Sequence, residues 1–352
     1  MFHHGLGNQG LLRQPSLKTI RRDKRAADLR ESPPPLRTEE PAMPAPRRNA
    51  RAADAVALTH PERVVFPDSG ITKQQVFDYY RAIAPWLLPE IAGRPLSIVR
   101  CPQGAGRPCF FQKHHTAGMD RVDVVPLEEE GGARADYLAV RDGTGLLELV
   151  QFNALEFHPW GAQAQAPERA DRIVFDLDPG PDVAWSRVVD AARLVRKRLR
   201  GIGLTSYVRT SGGKGLHVVV PLKPACPWPQ VKDFAHAFAE SMAASEPLAY
   251  VATATKKFRK GRIFIDYLRN GRGATSVASF SLRARDGAPV AMPLRWEELG
   301  RIKGGDAYTL SSAPRRMARI GEHPWGDYTR RKQDLATVAT RLKREATKTK
   351  GG

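Results

Sequence analysis

An apolar segment, IVFDLDPG at residues 173–180, carries Asp176 and Asp178 two positions apart. In a β-strand, side chains alternate between the two faces of the sheet, so both carboxylates point to the same side. Two adjacent carboxylates repel each other and lose hydration, and a divalent cation between them offsets that cost. Because Pro179 and Gly180 end the strand, we expect the two aspartates at its C-terminal end. There they act either as metal ligands or as a turn-capping pair.

A second apolar segment, RIFIDYL at residues 262–268, predicts a strand that carries Asp266. A lone carboxylate in such a setting is costly unless it is paired or bound to a metal ion. Three acids on two strands are what two-metal phosphoryl transfer requires, with one ion activating the attacking 3′-hydroxyl and the other holding the triphosphate. Taken by itself, Asp266 is also compatible with a salt-bridged residue at a strand end.

The glycine-rich segment TSGGKGLHVVV at residues 210–220 joins two predicted strands. Its glycines allow the backbone to approach an anion closely, so Ser211, the loop amides and Lys214 are candidates for a phosphate nest. His217 opens the next strand, where it can donate a hydrogen bond to a phosphate. The spacing is not that of a Walker A loop, and a glycine-rich hairpin with a surface lysine is the alternative.

Basic and aromatic residues flank these acidic strands. The segment KKFRKGR at residues 256–262 precedes Asp266, and Arg283 follows it in SLRAR. Such groups suit triphosphate and template phosphates. Phe110 and Phe111 are adjacent in CFFQKHH, so one ring is expected to be buried and the other to stack on a base, unless both lie in the core.

The chain is strongly basic, with 56 Lys and Arg against 37 Asp and Glu and a formal net charge of +19. Such a balance favours a polyanionic partner, either nucleic acid or an anionic membrane surface, although some basic proteins are simply soluble. No apolar run of about 18 residues predicts a transmembrane helix, and the N-terminal residues lack the apolar stretch of a signal peptide. We therefore expect a cytoplasmic, nucleoid-associated protein.

The sequence contains 3 cysteines, and none belongs to a C-x-x-C pair. This number and spacing predict neither a disulfide framework nor a cysteine zinc site. Inert thiols in a reducing compartment are the expected state.

Strands and helices alternate unevenly, which predicts an α+β (mixed α/β) fold. Thr72 is the expected N-cap of a helix through KQQVFDYYRAIAPWLL, and LLELVQFNALEF is predicted to be helical as far as His158. Residues 1–55, rich in Pro and Arg, predict a disordered basic tail or linker. Residues 56–328 form the expected catalytic domain, and residues 329–352 the expected basic C-terminal tail.

Several motifs together resemble the polymerase domain of bacterial DNA ligase D, in the archaeo-eukaryotic primase superfamily. In chain order they are LTHPERVVFPDSGITK, AGRPLSIVRCP, CFFQKH, LEFHPWG, FDLDPG, TSGGKGLHVVVPL, GRIFIDYLRNGRGAT and SLRAR. The resemblance implies an archaeo-eukaryotic primase-type catalytic core with an RRM-like sheet. It also implies template-directed transfer from NTP or dNTP to a primer 3′-hydroxyl, which fills gaps and extends ends in bacterial non-homologous end joining. Family members use two divalent metal ions, with Mn²⁺ preferred or Mg²⁺, often favour ribonucleotides, and work with the end-binding protein Ku.

The resemblance also implies roles for individual residues. The matched metal-binding and catalytic carboxylates are Asp176, Asp178 and Asp266. The matched nucleotide-binding residues are Ser211, Lys214, His217, His158 and Arg283. The matched DNA-binding residues are Phe110 and Phe111 for the template strand, with Lys73 and Arg63 for the 5′-phosphate of a gap. Arg63 stands where the family has lysine, which keeps the charge but changes the hydrogen-bond geometry.

No adenylation motif of the K-x-D-G type occurs, and there is no room for a phosphoesterase module. We therefore expect neither ligase nor nuclease activity, and a separate ATP-dependent DNA ligase as partner. Three other functions are compatible with parts of the pattern: a primase that starts strands de novo, a non-catalytic end-binding module that recruits Ku, and a metal-dependent phosphohydrolase. The Lys73 and Arg63 pair favours a gap-filling polymerase over a de novo primase. The complete carboxylate set disfavours the non-catalytic module, and the phenylalanine pair disfavours the phosphohydrolase.

Overall fold

Strands with alternating apolar and polar residues pair into sheets, and helices cover their apolar faces. The computed structural model describes residues 56–129 and 131–338. The strands are β1 (Val64–Phe66), β2 (Ile71–Thr72), β3 (Leu96–Arg100), β4 (Phe110–Gln112), β5 (Asp123–Glu128), β6 (Arg134–Ala139), β7 (Ala154–Pro159), β8 (Arg169–Pro179), β9 (Tyr207–Thr210), β10 (Leu216–Pro227), β11 (Tyr250–Val251), β12 (Ile263–Asp266) and β13 (Pro293–Leu294). The α-helices are α1 (Lys73–Ile91), α2 (Gly143–Gln151), α3 (Trp185–Gly201), α4 (Trp228–Ser245) and α5 (Ser312–Ile320).

The central sheet has six strands in the order β11-β12-β8-β10-β9-β13. Its neighbouring strands are antiparallel except for β11 and β12, which are parallel. Alternate residues of β8, namely Ile173, Phe175 and Leu177, belong to the main hydrophobic core together with residues of α3 and α4. Because side chains alternate along a strand, Asp176 and Asp178, each next to Leu177 in the chain, face the other side of the sheet.

A second sheet of five strands has the order β4-β3-β6-β5, with β7 also paired to β3. Helices α1 and α2 pack against it, and Leu87, Ile98, Leu149 and Phe157 share its hydrophobic core. The buried Tyr80 ring of α1 meets the Phe157 ring edge-on, with 5.0 Å between the ring centroids. Helix α1 thereby holds β7, the strand that contains the LEFHPW motif.

Helix α1 begins where the sequence predicts. The Thr72 side chain accepts the Gln75 amide and the Gln75 side chain accepts the Thr72 amide, so that a reciprocal capping box closes the first turn. The residues expected on its apolar face are all buried: Val76, Tyr79, Tyr80 and Ile83. Among the described residues, no helix has the length and apolar character needed to cross a bilayer.

The prediction that LLELVQFNALEF is helical throughout is wrong for its second half. Helix α2 ends at Gln151, and Asn153 has a φ of 64°, a left-handed conformation in which asparagine commonly ends helices. The next residues form β7, which is buried along its whole length and pairs antiparallel with β3. A short apolar run does not distinguish a buried strand from a helix, and here pairing with β3 decides.

Residues 333–338, which belong to the predicted basic C-terminal tail, make contacts with the rest of the fold. The Gln333 side chain donates to the carbonyl oxygens of Thr205 at 2.9 Å and Pro221 at 3.0 Å. Leu335 and Val338 are buried in the main core. The sequence does not indicate these contacts, because basic residues surround the few apolar and amide side chains that make them. Residues 1–55 and 339–352, predicted to be tails, lie outside the described residues.

The prediction of unpaired thiols is wrong for two of the cysteines. Cys101 and Cys109 form a disulfide, with 4.4 Å between their Cα atoms. The link closes the loop between β3 and β4, because pairing of these two strands brings the ends of the loop together. Cys226 is a free, buried thiol, as expected.

Candidate active site

Three acidic residues meet on the polar face of the central sheet because of strand register. Asp266 of β12 pairs directly with Asp176 of β8, and His217 of β10 pairs with Asp176 from the other side. Asp178 lies two residues further along the same face of β8, opposite Phe264. The sequence-based expectation that Asp176 and Asp178 share one face therefore agrees with the arrangement of the strands, and the register adds Asp266 to that face.

Arginine side chains contact all three carboxylates. Arg269 Nε lies 3.2 Å from Asp266 Oδ2 and 3.7 Å from Asp176 Oδ2. Arg259 donates to Asp178 Oδ2 at 2.8 Å. These contacts reduce the repulsion that three neighbouring carboxylates would otherwise create.

The three carboxylates differ in their electrostatic surroundings. Burial alone would raise the pKa of Asp176, but the adjacent His217 and the nearby Arg269 lower it to about 2. Burial and the negative charge of Asp176 raise the pKa of Asp178. Burial also raises the pKa of Asp266, against the lowering effect of Arg269. Asp176 is therefore firmly ionised. The positive groups near Asp178 and Asp266 do not fully offset the effects of burial and of the Asp176 charge.

A divalent cation is chemically suited to this donor set. The three acids offer hard carboxylate oxygens, and the raised pKa of Asp178 reflects a repulsion that a cation would relieve. In residues 56–129 and 131–338, however, no three His, Cys, Asp or Glu side chains converge as a metal site. Arg259 and Arg269 take up carboxylate oxygens, so cation binding requires these side chains to exchange partners.

The glycine-rich loop packs directly on the carboxylate strand. A Cβ atom on Gly215 would lie 2.1 Å from the carbonyl oxygen of Leu177, the residue between the two aspartates of β8. Only glycine allows this approach. Three of the loop amides expected to form an anion nest are already paired: Gly213 and Gly215 donate to Ser211 Oγ at 3.2 and 3.1 Å, and Gly212 donates to the Gly305 carbonyl oxygen. The loop therefore offers two side-chain donors to an anion: the Ser211 hydroxyl proton and the exposed Lys214 ammonium.

His158 and Arg283 are joined by a carboxylate that the sequence analysis did not select. Glu156 Oε2 lies 2.8 Å from His158 Nε2 and accepts Arg283 Nε at 2.9 Å. Burial would raise the pKa of Glu156, but His158 and Arg283 lower it to about 2. Arg283 also donates to the Ser211 carbonyl oxygen at 2.6 Å. Glu156 therefore connects β7 to the SLRAR segment, and Arg283 connects that segment to the glycine-rich loop.

Both phenylalanines of β4 are exposed, Phe110 by 47% and Phe111 by 67%. The alternative that both lie in the core is wrong, and so is the expectation that one is buried, because this three-residue edge strand leaves both rings in solvent. The Phe111 ring meets the His158 ring edge-on, at 5.3 Å between centroids. Arg100 lies 5.5 Å from the centre of the Phe110 ring. The aromatic pair thus borders the site on the side of the second sheet.

Lys73 and Arg63 are held together by a backbone hydrogen bond at the start of α1. Lys73 donates its backbone amide to the Arg63 carbonyl oxygen at 2.8 Å. The buried Lys73 ammonium donates to Gln151 O at 2.7 Å, Gln151 Oε1 at 3.0 Å and Thr59 O at 3.2 Å. Burial and the charge of Arg63 lower the Lys73 pKa to about 8. Arg63 is exposed, and it donates to the Pro102 carbonyl oxygen at 3.1 Å.

The family model of the LigD primase-polymerase domain matches residues 72–325. That span includes both carboxylate strands, the glycine-rich loop, β7 and the phenylalanine pair. The chain belongs to the LigD primase-polymerase family. A solved structure, the polymerase domain from Mycobacterium tuberculosis ligase D in complex with DNA, is similar with a TM-score of 0.73 and 32% identity, over 78% of this chain and 98% of that one. The match confirms the predicted α+β fold of the archaeo-eukaryotic primase type.

Longer LigD proteins are similar in sequence. The multifunctional non-homologous end joining protein LigD of Pseudomonas aeruginosa is 37% identical over 343 residues, covering 94% of this chain and 40% of that protein. The protein of the same name from Mycolicibacterium smegmatis is 35% identical over 249 residues, covering 70% of this chain and 32% of that protein. The chain thus corresponds to two fifths or less of the length of these relatives.

In this member of the LigD primase-polymerase family, sequence reasoning missed three charged residues that contact the predicted ones: Glu156, Arg209 and Arg269. Glu156 stands two positions before His158 in a strand, a spacing that places both on one face and could have identified it. Arg269 follows Asp266 by three residues, which offered a weaker signal. Arg209, a buried residue that contacts His217, had no local signal among the 56 Lys and Arg of the chain.

Proposed function

We propose that the chain is a template-directed nucleotidyltransferase that transfers nucleotides from NTP or dNTP to a primer 3′-hydroxyl, filling gaps and extending ends in bacterial non-homologous end joining. The observation that carries this proposal is the register of the central sheet, which sets Asp266, Asp176 and His217 side by side on three neighbouring strands. Membership in the LigD primase-polymerase family supports it.

Asp176, Asp178 and Asp266 are the residues that would hold two divalent cations, Mn²⁺ or Mg²⁺. When bound, such ions activate the attacking hydroxyl and stabilise the charge on the triphosphate. Arg269 and Arg259 neutralise these carboxylates until the ions and the nucleotide enter. Their guanidinium groups are then available to the triphosphate, to which arginine binds bidentately.

The nucleotide side of the proposed site consists of donors that the fold holds in place. His217 and Ser211 lie on and beside the glycine-rich loop, and Lys214 adds an exposed positive charge at its tip. Arg283 and His158 approach from the other side, oriented by the shared carboxylate of Glu156. The Arg283 contact with the Ser211 carbonyl oxygen joins the two groups of donors around one triphosphate position.

The DNA side of the proposed site combines the phenylalanine pair on β4 of the second sheet with Lys73 at the start of α1 and Arg63 just before β1. Exposed aromatic rings on a strand provide a stacking surface for bases, and this is the role we assign to Phe110 and Phe111. Arg63 and Lys73 would bind the 5′-phosphate at the far side of a gap. Since the Lys73 ammonium already donates to three oxygens, a phosphate must replace one of these acceptors, and a charged acceptor makes the stronger hydrogen bond.

We propose a cytoplasmic, nucleoid-associated enzyme with a preference for Mn²⁺ and ribonucleotides, and without ligase or nuclease activity of its own. Ku and a separate ATP-dependent DNA ligase are its proposed partners in end joining. The net charge of +19 supports an interaction with DNA ends.

Primer extension on a gapped duplex tests the proposal. The protein receives Mn²⁺, a duplex with a short 5′-phosphorylated gap, and each ribo- and deoxyribonucleotide in turn. We expect templated addition that is faster with ribonucleotides, and its loss when Asp176 and Asp178 are both replaced by Asn while DNA binding persists. Tight DNA binding without any addition by the unaltered protein would contradict the proposal and favour an end-binding module.

A further inference from the structure

Arg209 lies on β9 of the central sheet, and its guanidinium group has no exposed surface. Such a charge is tolerated only when its donors are satisfied. Arg209 NH1 pairs with Glu90 Oε1 and donates to Ser279 Oγ at 3.3 Å, and NH2 donates to Ser276 Oγ at 3.2 Å. The Nε–H group donates to His217 Nδ1 at 3.2 Å.

The contact with His217 determines where the imidazole carries its proton. Arginine has donors only and stays charged in proteins, so the ring nitrogen that faces Arg209 must accept. With Nδ1 accepting, the proton of the neutral ring lies on Nε2. His217 Nε2 is 3.4 Å from Asp176 Oδ1. His217 therefore presents an N–H group, and never a lone pair, to the carboxylate face of the sheet.

We infer that Arg209 is a positioning residue that holds His217 in the Nε2–H tautomer, so that His217 serves the site as a hydrogen-bond donor to the nucleotide's phosphate oxygens. This inference rests on the proposed function for the identity of the acceptor. In the opposite tautomer, the Nε2 lone pair would face Asp176 and any incoming phosphate oxygen, and two acceptors repel. The tautomer thus decides whether His217 attracts or repels a triphosphate.

Glu90 gives Arg209 its orientation. Glu90 lies in the last turn of α1, and its Oε2 accepts the Ser279 amide at 3.1 Å. Its Oε1 accepts both Arg209 and Arg172, the latter at 3.2 Å. The NH1 group of Arg209 is held by Glu90, which leaves Nε facing the imidazole. A buried chain of contacts accordingly runs from α1 through Arg209 and His217 to Asp176.

Arg209→Lys separates the two tasks of this residue. A lysine ammonium can still pair with Glu90, but a methylene group replaces the Nε–H group that faces His217. Arg172→Lys is the matched control, since Arg172 shares the same Glu90 oxygen and does not contact His217 in the structure. Two readouts are needed: the ring tautomer of His217, from ¹H–¹⁵N spectra of histidine-labelled protein, and the KM for the nucleotide in primer extension. The His217 signal is assigned by its loss in His217→Gln.

We expect the unaltered protein and Arg172→Lys to show the Nε2–H tautomer. Arg209→Lys should show the Nδ1–H form or a mixture, with a KM raised about tenfold, as for one lost hydrogen bond, and a smaller change in kcat. The Arg209→Lys change should have no further effect on KM in the His217→Gln background.

An Nδ1–H tautomer in the unaltered protein overturns the inference without any variant. A KM that rises equally in Arg172→Lys, or an unchanged tautomer in Arg209→Lys, also overturns it. Absence of extension by the unaltered protein would instead refute the proposed function, because the tautomer is measured independently of activity.

Discussion

Asp266 of β12 lies directly opposite Asp176 of β8 in an antiparallel register, and both carboxylates contact the guanidinium of Arg269. Directly opposed residues of two strands have their Cβ atoms about 4.5–5.5 Å apart. Two like charges at that separation destabilise a sheet unless a positive group joins them. The pairing is therefore costly to keep without Arg269 or a bound cation between the two carboxylates.

Removing the charge of Asp266 should abolish nucleotide addition. Asp266→Asn keeps the shape of the side chain but removes the negative charge, and we expect extension to fall by on the order of 10³-fold or more, with DNA binding retained. Rates on a gapped duplex and affinities from fluorescence anisotropy measure the two quantities. Asp182→Asn alters an exposed aspartate beyond the end of β8 and should leave the rate unchanged. Extension by Asp266→Asn near the normal rate would refute the carboxylate assignment.

Adding one methyl group at Gly215 should distort the carboxylate strand. In Gly215→Ala the new Cβ would lie 2.1 Å from the Leu177 carbonyl oxygen, so β8 must shift between Asp176 and Asp178. We expect a loss of about 1–3 kcal/mol in the free energy of unfolding and a larger proportional loss of extension. Gly213→Ala is the control, because its nearest neighbour would be 3.5 Å away, an ordinary contact. Equal effects of the two substitutions in urea unfolding and extension assays would contradict this account.

The preference for a 5′-phosphorylated gap should fade as the pH rises through about 8. The lowered pKa of Lys73, about 8, means that its ammonium is charged below that pH and neutral above it, while the phosphate stays a dianion above its second pKa of about 6. The ratio of kcat/KM for phosphorylated and unphosphorylated gaps, followed from about pH 6.5 to 9.5, reports the free enzyme.

Lys73→Gln should give a low and pH-independent ratio, which separates Lys73 from other titrating groups. The same burial affects folding. Below pH 8 the ammonium is held in a site that disfavours it, so this residue's contribution to stability should improve between about pH 8 and the lysine reference value of 10.5. A ratio that is constant between pH 7 and 9 in the unaltered protein would exclude Lys73 from phosphate recognition.

Loss of the exposed phenylalanines should weaken DNA binding without destabilising the fold. Because the Phe111 ring is 67% exposed, replacing Phe111 by Ala should change the free energy of unfolding little. Each lost stacking contact should cost about 1–3 kcal/mol in affinity for template DNA. Leu248→Ala, at another exposed apolar residue, is the comparison. If Phe111→Ala binds a gapped duplex as tightly as Leu248→Ala does, the stacking role is refuted.

Reduction of the Cys101–Cys109 link should loosen the loop before the phenylalanine pair. Loop-closure entropy for so short a ring predicts a loss of about 2–3 kcal/mol in the free energy of unfolding. The double variant Cys101→Ser, Cys109→Ser should have the same stability with and without reductant, whereas the unaltered protein should respond. Peptide mapping under non-reducing conditions identifies the link directly. Finding both thiols free in protein purified without reductant would contradict the disulfide.

Local patterns predicted much of this molecule because they depend on neighbouring residues alone. Alternation along β8 placed Asp176 and Asp178 on one face, and the Thr72 signal located the start of α1. The same reasoning failed where tertiary contacts decide. Pairing with β3 made a strand of β7, and closure of the hairpin loop brought Cys101 and Cys109 together.

Periodicity and ordered motifs along the chain were enough to predict the fold class, the family and the candidate carboxylates. The contacts between distant residues, in contrast, follow from the folded core. It set Asp266 and His217 on either side of Asp176, directed Glu156 to both His158 and Arg283, and buried Arg209 against His217. Strand register and contacts between residues far apart in sequence depend on how the whole core packs, and no short segment encodes them.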